Sequence, residues 1–244
     1  MVAPGHSPRA HVFVADVESP ELAAADRHHI ERVLRMRAGD EITVADGAGR
    51  WRRCTLGPVL EPLGAVEADA RPEPPVAVAF ALTKGERPEW AVQKLTELGA
   101  DRIVPFVAAR SVVRWTPEQA AAHAERWRRV AREAASQSRR TWLPVVEDVR
   151  TFAELLDRPG AAVAHPGGGA ASLSHALVLV GPEGGWSEEE LAAASGLPRV
   201  GLGPHVLRAE TAAMAAATLL AALRSGLVSP PPAGTSTADS WPES

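Results

Sequence analysis

The sequence predicts an α/β protein in two parts, a small and mostly β module followed by a larger domain on a mostly parallel sheet. Three observations carry this. The first 70 residues alternate short apolar runs with turn residues around one helical stretch. From Val76 onward apolar strands alternate with helical segments. Between the two patterns lies EADARPEPPVA (67–77), whose Pro72, Pro74 and Pro75 mark it as a linker. The expected divisions are therefore 1–72, 73–228 and a tail, 229–244, whose composition (SPPPAGTSTADSWPES) predicts disorder.

Each element follows from local chemistry. HVFVA (11–15) reads as a strand. Ser19-Pro20-Glu21 offers a serine cap with proline at the first helical position, so a helix is expected from there, with Leu22, Ile30, Val33 and Leu34 on its buried face. In GDEITVADGAGRWRRCTL, Asp46-Gly47 and Gly49 supply hairpin turn chemistry between two strands. In the second part, VAVAFAL (76–82), RIVPFVA (102–108), AAVAHP (161–166) and ALVLVG (176–181) read as strands. Helices are expected over 86–99, 117–138, 187–195 and 208–224.

Composition narrows the class. Cys54 is the only cysteine, which excludes an internal disulfide and suits a reducing, cytoplasmic setting. Met1–Arg9 is polar and proline-bearing and has no signal-peptide pattern. Thr211–Leu223, the longest uncharged apolar-rich run, is shorter than the roughly 20 residues a bilayer span needs. The eight histidines lack metal-ligand spacing, so no metal is expected, and His28-His29 read as helix surface. Between Arg110 and Arg140, arginines 110, 114, 126, 128, 129, 132, 139 and 140 face only Glu118, Glu125 and Glu133. Such a stretch serves either a polyanion or a solvated arginine-rich helix face.

Two segments carry the chemistry. LVGPEGGWSEEE (179–190) runs from a strand through a glycine-rich loop into a helix, and Ser187 with Glu190 forms a capping box. Gly181, Gly184 and Gly185 let a ligand approach backbone groups; the same residues also suit a plain strand-to-helix turn. LGPHVLRAETAAMAAATLLAAL (202–223) repeats the logic, with Arg208, Glu210 and Thr211 clustered at the head of an alanine-rich helix. Phosphate cradles are excluded: there is no G-x-x-x-x-G-K-[ST], and Gly201-x-Gly203 lacks the third glycine of a dinucleotide fingerprint. Glu183 would repel a phosphate, so a cationic or neutral ligand fits better.

GPEGGWSEEE followed by LGPHVLRAETA resembles the signature pair of the SPOUT-type methyltransferases that modify uridine N3 in 16S ribosomal RNA, the ribosomal RNA small subunit methyltransferase E family. TKGERPEWAVQKLTELGADRIVPF (83–106), ARSVVR (109–114) and EAASQSRRTWLP (133–144) resemble further family stretches, and HHIERVLRMRAGDEITVADGAG (28–49) resembles its PUA-like RNA-binding barrel. The match runs in order over roughly residues 11–225. Trp186 stands where the family commonly has phenylalanine, and His205 where it commonly has arginine.

The resemblance implies a trefoil-knotted C-terminal domain, a homodimer and S-adenosylmethionine as cofactor. By position, the cofactor pocket would be lined by Leu179, Val180, Gly181, Pro182, Glu183 and Gly184, by Leu202 and Gly203, and by Val206, Leu207, Arg208, Thr211 and Ala212. The implied reaction takes the weakly acidic proton from uridine N3 and stabilises charge on O2 and O4, a role expected of Arg208. Glu183 and Glu210 are both candidates to accept the proton, and Glu210 equally suits the helix N-terminus. RNA contacts are expected from Arg35, Arg37, Lys84, Lys94, Arg110, Arg139 and Arg140, on a base extruded from 16S rRNA in the small subunit. Other readings are a related methyltransferase acting on ribose 2′-OH or another base, and a non-catalytic RNA-binding assembly factor.

Overall fold

The computed structural model describes residues 8–85, 87–113 and 115–229. Arg114 of the basic stretch and positions 230–244 of the expected tail lie outside the described residues. The chain divides after Pro72 into two compact units, and the first of them also holds Arg132–Leu143.

The first unit is a four-stranded sheet in the order β1 (Ala10–Phe13), β2 (Glu41–Ala45), β3 (Arg50–Thr55) and β4 (Glu61–Ala68). β1 and β2 run parallel and the other pairs antiparallel. Val12, Ile42, Val44, Cys54 and Leu56 meet Ile30 and Met36 in its core. The hairpin turn forms where expected. The Asp46 Oδ1 accepts the N–H groups of Ala48 at 2.7 Å and Arg50 at 3.1 Å, and Gly47 and Gly49 take positive φ. A Cβ on Gly49 would stand 2.5 Å from the Trp142 ring, so packing demands glycine there as well.

Three expectations for this unit shift. The helix begins at Ala24 (α1, Ala24–His28), with no side-chain cap, because the segment around Ser19 is held otherwise. Arg52 donates to the carbonyls of Val17 and Glu18, and the Glu18 N–H donates to Asp16, so those groups are not free to start a helix. α1 then widens into a π-helical turn over His29–Val33, which changes the phase of the residues beyond it. Ile30 stays buried, while Val33 turns out to 61% exposure. Residues 132–143, expected in the second domain, cluster with the first because Ala135 packs with Phe13 and Ala45, and Arg132 donates to the Phe13 carbonyl.

The second unit contains β5 (Ala77–Ala81), α2 (Arg87–Glu97), β6 (Arg102–Val107) and most of α3 (Pro117–Gln137). It continues with β7 (Val145–Val146), β8 (Arg150–Thr151), α4 (Ala153–Leu156), β9 (Ala161–Gly169) and β10 (Leu177–Val180). α5 (Glu188–Ala193), β11 (Arg199–Val200) and α6 (Ala209–Arg224) complete it. The seven-stranded sheet has the order β11-β9-β10-β5-β6-β7, with β8 beside β6. Every pair is parallel. β5 and β10 bury all their residues, as central parallel strands covered on both faces must. On one face Val78, Phe80, Val178 and Val180 pack with Leu95 of α2, Trp127 of α3 and Ala213, Ala217 and Leu220 of α6. On the other, Ala79, Phe106, Val163 and Leu179 pack with Leu155 of α4 and Ala194. The alanines of α6 therefore work as close-packing surface against the sheet. No described helix is long and apolar enough to cross a membrane.

Candidate active site

The strand order puts the loops after β10 and β11 at the C-terminal edges of the two strands that flank β9, where open parallel sheets place their ligands. The loop after β10 is anchored twice. Just before α5, Trp186 donates its indole N–H to the Ala164 carbonyl at 3.0 Å. Its ring stacks on Phe106, centroids 6.1 Å apart and planes 10° apart, and packs against Phe152. Gly181 makes room for it, since a Cβ there would stand 2.8 Å from the indole. Next to it the Ser187–Glu190 capping box forms in full. The Ser187 N–H donates to Glu190 Oε2 at 2.9 Å, and the Glu190 N–H donates to Ser187 Oγ at 3.1 Å. The buried Glu190 also accepts the Ala109 N–H at 2.8 Å, which ties α5 to the loop after β6.

The loop after β11 is set by a crossing of two chain passes. The Gly201 N–H donates to the Gly169 carbonyl at 2.8 Å. A Cβ on Gly168 would lie 2.5 Å from the Val200 carbonyl carbon, and one on Gly201 would lie 2.6 Å from the Gly168 oxygen. Only glycine on both passes allows that approach. The chain then runs through 202–207, with Val206 92% exposed, and enters α6 with Arg208 at the N-cap.

Between the two loops and the middle of β9 lies a cavity of about 180 Å³. Of the residues named as candidates for the cofactor pocket, Val180, Gly181, Pro182, Glu183, Leu202, Gly203, Val206, Leu207 and Ala212 line it. Four other candidates do not. Leu179 is buried within the sheet core; Gly184 is adjacent and gives its carbonyl to Arg110 Nη1 at 2.8 Å; Arg208 and Thr211 are exposed at the head of α6. Arg208 makes no side-chain bond among the described residues. Glu210 is half-buried, and its Oε2 is buried with no hydrogen-bond partner among the described residues.

Several lining residues escape sequence reasoning. Ala164, His165 and Pro166 come from the middle of β9, and Trp186, His205 and Ala209 complete the wall. The Pro-Gly-Gly-Gly run after His165 is the local signal there, and β9 continues through it to Gly169. Nothing local announced Arg87, whose guanidinium forms an ion pair with Glu183 across 96 positions of sequence.

The candidate RNA-contacting residues are dispersed. Arg110 joins the cofactor-loop candidates through Gly184, Lys84 is exposed, and Lys94 pairs with Glu97 at 2.8 Å. Arg35, Arg37 and Arg139 are exposed in the first unit, and Arg140 gives its carbonyl to the ring of His11 there. Among the described residues no group of histidine, cysteine, aspartate and glutamate side chains could hold a metal.

The cavity suits a neutral or cationic ligand with a flat apolar portion. No lysine or arginine lines it, its one carboxylate is Glu183, and much of its wall is backbone or small apolar side chain. Gly185 and Gly203, both in the lining and both at positive φ, leave open space where a Cβ would stand. Those features fit S-adenosylmethionine, with loop backbone N–H and C=O groups for the adenine edge and apolar contacts for its faces.

Comparison with known proteins places the chain in a family. A family model described as an RNA methyltransferase domain matches residues 71–221, and one described as an RNA methyltransferase PUA domain matches residues 22–58. The ribosomal RNA small subunit methyltransferase E of Bacillus subtilis is 37% identical over 217 residues, covering 78% of this chain and 85% of that protein. A ribosomal RNA small subunit methyltransferase E from Neisseria gonorrhoeae, solved bound to S-adenosylmethionine, superposes with a TM-score of 0.72 at 26% identity. That match covers 88% of this chain and 97% of the other. A putative methyltransferase from Legionella pneumophila, solved with the same bound cofactor, gives 0.74 at 26% identity over 87% and 96% of the two chains. Sequence identity over most of its length, the two matching domains and the shared fold show that this chain belongs to the ribosomal RNA small subunit methyltransferase E family.

Proposed function

We propose that the protein methylates N3 of a uridine in the decoding region of 16S ribosomal RNA, with S-adenosylmethionine as methyl donor. Family membership supports RNA methyl transfer, and the observation that carries the reading is the cavity between the loops after β10 and β11. When bound, S-adenosylmethionine supplies an electrophilic methyl group on a sulfonium centre. The chain's own residues have two further tasks, to remove the N3 proton and to stabilise the charge that spreads onto O2 and O4. Arg208, exposed and without a side-chain partner among the described residues, has a guanidinium free for the second task. The two carboxylates divide the rest. Glu183 is committed to Arg87 and shapes the cavity wall, whereas Glu210 has an uncommitted oxygen and is the better proton acceptor.

The same reading includes a trefoil knot, a homodimer and a cytoplasmic setting. The path from β10 past β9 to the edge strand β11, and back through α6 onto β5, β10 and α2, supports threading. The glycine-only crossing of residues 168 and 201 is in keeping with it. Val206, Leu227 and Val228, exposed apolar side chains flanking α6, favour a second copy of the chain. Purified small ribosomal subunits incubated with labelled S-adenosylmethionine, followed by nucleoside identification, test the whole. The expected product is N3-methyluridine. A 2′-O-methyl nucleoside would move the protein to a different reaction, and no incorporation with no cofactor binding would leave only an assembly role.

A further inference from the structure

We infer that the start of α3, with Trp115 before it, is a nucleobase-stacking site for a single-stranded segment of the RNA substrate. The rings of Trp115 and His123 lie face to face, centroids 4.0 Å apart and planes 16° apart. Beneath them Trp127 is buried in the core, 5.8 Å from each. The pair is thus a half-exposed aromatic shelf on a rigid base. Its position is fixed by a second capping box: the Thr116 N–H donates to Gln119 Oε1 at 3.0 Å, and the Gln119 N–H donates to Thr116 Oγ1 at 3.3 Å.

Beside the shelf is a cavity of about 290 Å³ lined by Trp115, Gln119, Ala122, His123, Arg126 and Arg129. The helical members recur at three- and four-residue spacing, so they form one stripe of α3. No carboxylate lines the cavity. Arg126 is held by Glu89 at 2.6 Å, whereas Arg129 is exposed and has no partner among the described residues. Gln119 spends its carbonyl oxygen on the cap and keeps its amide N–H groups for a base edge.

Core packing alone would account for Trp127 and for the inner face of Trp115. It does not account for a half-buried histidine ring stacked on Trp115, or for the Arg129 guanidinium, without a partner among the described residues, beside a cavity that no carboxylate lines. An aromatic shelf with flanking cations is the arrangement that stacks an unpaired base and pairs with its phosphate. The site shares no lining residue with the cofactor cavity.

The inference rests on the reading that the substrate is RNA, and the test separates the two. Binding of a short, labelled, single-stranded oligoribonucleotide to the full chain is measured against salt, with a duplex of the same sequence as control. His123→Ala should weaken single-strand binding about tenfold, the low end of what one stacked base contributes. His123→Phe, which keeps a ring, should restore it. Arg129→Ala should lower the salt slope by about 0.7, the value for one phosphate on a single strand. Calorimetry with S-adenosylmethionine alone should give the same affinity for every variant, which reports that each folds. No binding by the wild-type chain, unchanged binding by His123→Ala and Arg129→Ala, a loss that His123→Phe does not restore, or an equal loss on the duplex overturns the inference. If small subunits are not methylated but oligoribonucleotide binding depends on the ring at 123, the activity reading fails and the stacking site stands.

Discussion

Single residues decide the chemistry through what they are free to do. Arg208 occupies the N-cap of α6 with its side chain in solvent, outside the cavity lining, so its removal should leave cofactor binding nearly intact. Arg208→Ala is expected to lower turnover by about 10²–10³, the usual cost of one charge-stabilising donor in a transition state. Turnover on small subunits together with cofactor calorimetry checks this, and a parallel loss of cofactor affinity would assign Arg208 to binding instead. Gly168 acts by having no side chain. The backbone atoms of Val200 and Gly201 stand where its Cβ would go, and backbone cannot swing aside. Gly168→Ala should therefore cost about 1–3 kcal/mol as an overpacked contact. For a chain of this size the melting temperature should fall by about 3–10 °C in calorimetry.

At the scale of elements, buried carboxylates act as ties between segments that pattern alone leaves apart. Glu190 closes the α5 cap and at the same time holds Ala109 of the loop after β6. Glu147 accepts from Arg158 at 2.8 Å through both oxygens, from Arg102 at 2.7 Å and from Arg150 at 3.2 Å, joining β6, β8 and the segment after α4. Hydrogen bonds from Arg158 first, then Arg102, hold the Glu147 carboxyl at about 2 against an ordinary 4.5. Because the folded value is the lower one, the tie contributes in full above pH 4.5 and is lost as the pH falls towards 2. Thermal melts across that window should show wild-type stability dropping with acid. Glu147→Gln should start lower at neutral pH and show a shallower drop. An unchanged slope in the variant would mean that other carboxylates dominate the acid response.

For the whole molecule, the parallel sheet gathers the ends of β10 and β11 beside the middle of β9, and the two signature loops become walls of one cavity. In the proposed homodimer the exposed apolar groups flanking α6 would meet a second chain, so light scattering at micromolar concentration should give the mass of a dimer. A monomer alone under those conditions would contradict the proposed assembly. Substituting Val206 or Leu227 by a charged residue should shift the equilibrium toward monomer, since a charge in such an interface lacks a partner.

Much of this is legible in the sequence, because its causes are local. Alternating strand and helix patterns, the 67–77 prolines, the Asp46-Gly47 turn and the Ser187–Glu190 box each act within a few residues, and the architecture follows them. Local rules failed where distant groups competed. Ser19 and Pro20 could have opened a helix, but Arg52 takes the carbonyls beside them. Val33 sits on the expected face of a regular helix and leaves it at a π-turn. The candidate site divides in the same way: Gly181, Gly203 and Arg208 stand in motifs that composition and spacing mark, whereas Trp186 on Phe106, Arg87 on Glu183 and the Gly168–Gly201 crossing join distant parts of the chain. The sequence by itself determined the two-part architecture, the family and the segments that build the site. Only the tertiary structure decided which side chains face the cavity and which carboxylate is already engaged, because those depend on contacts that no local spacing encodes.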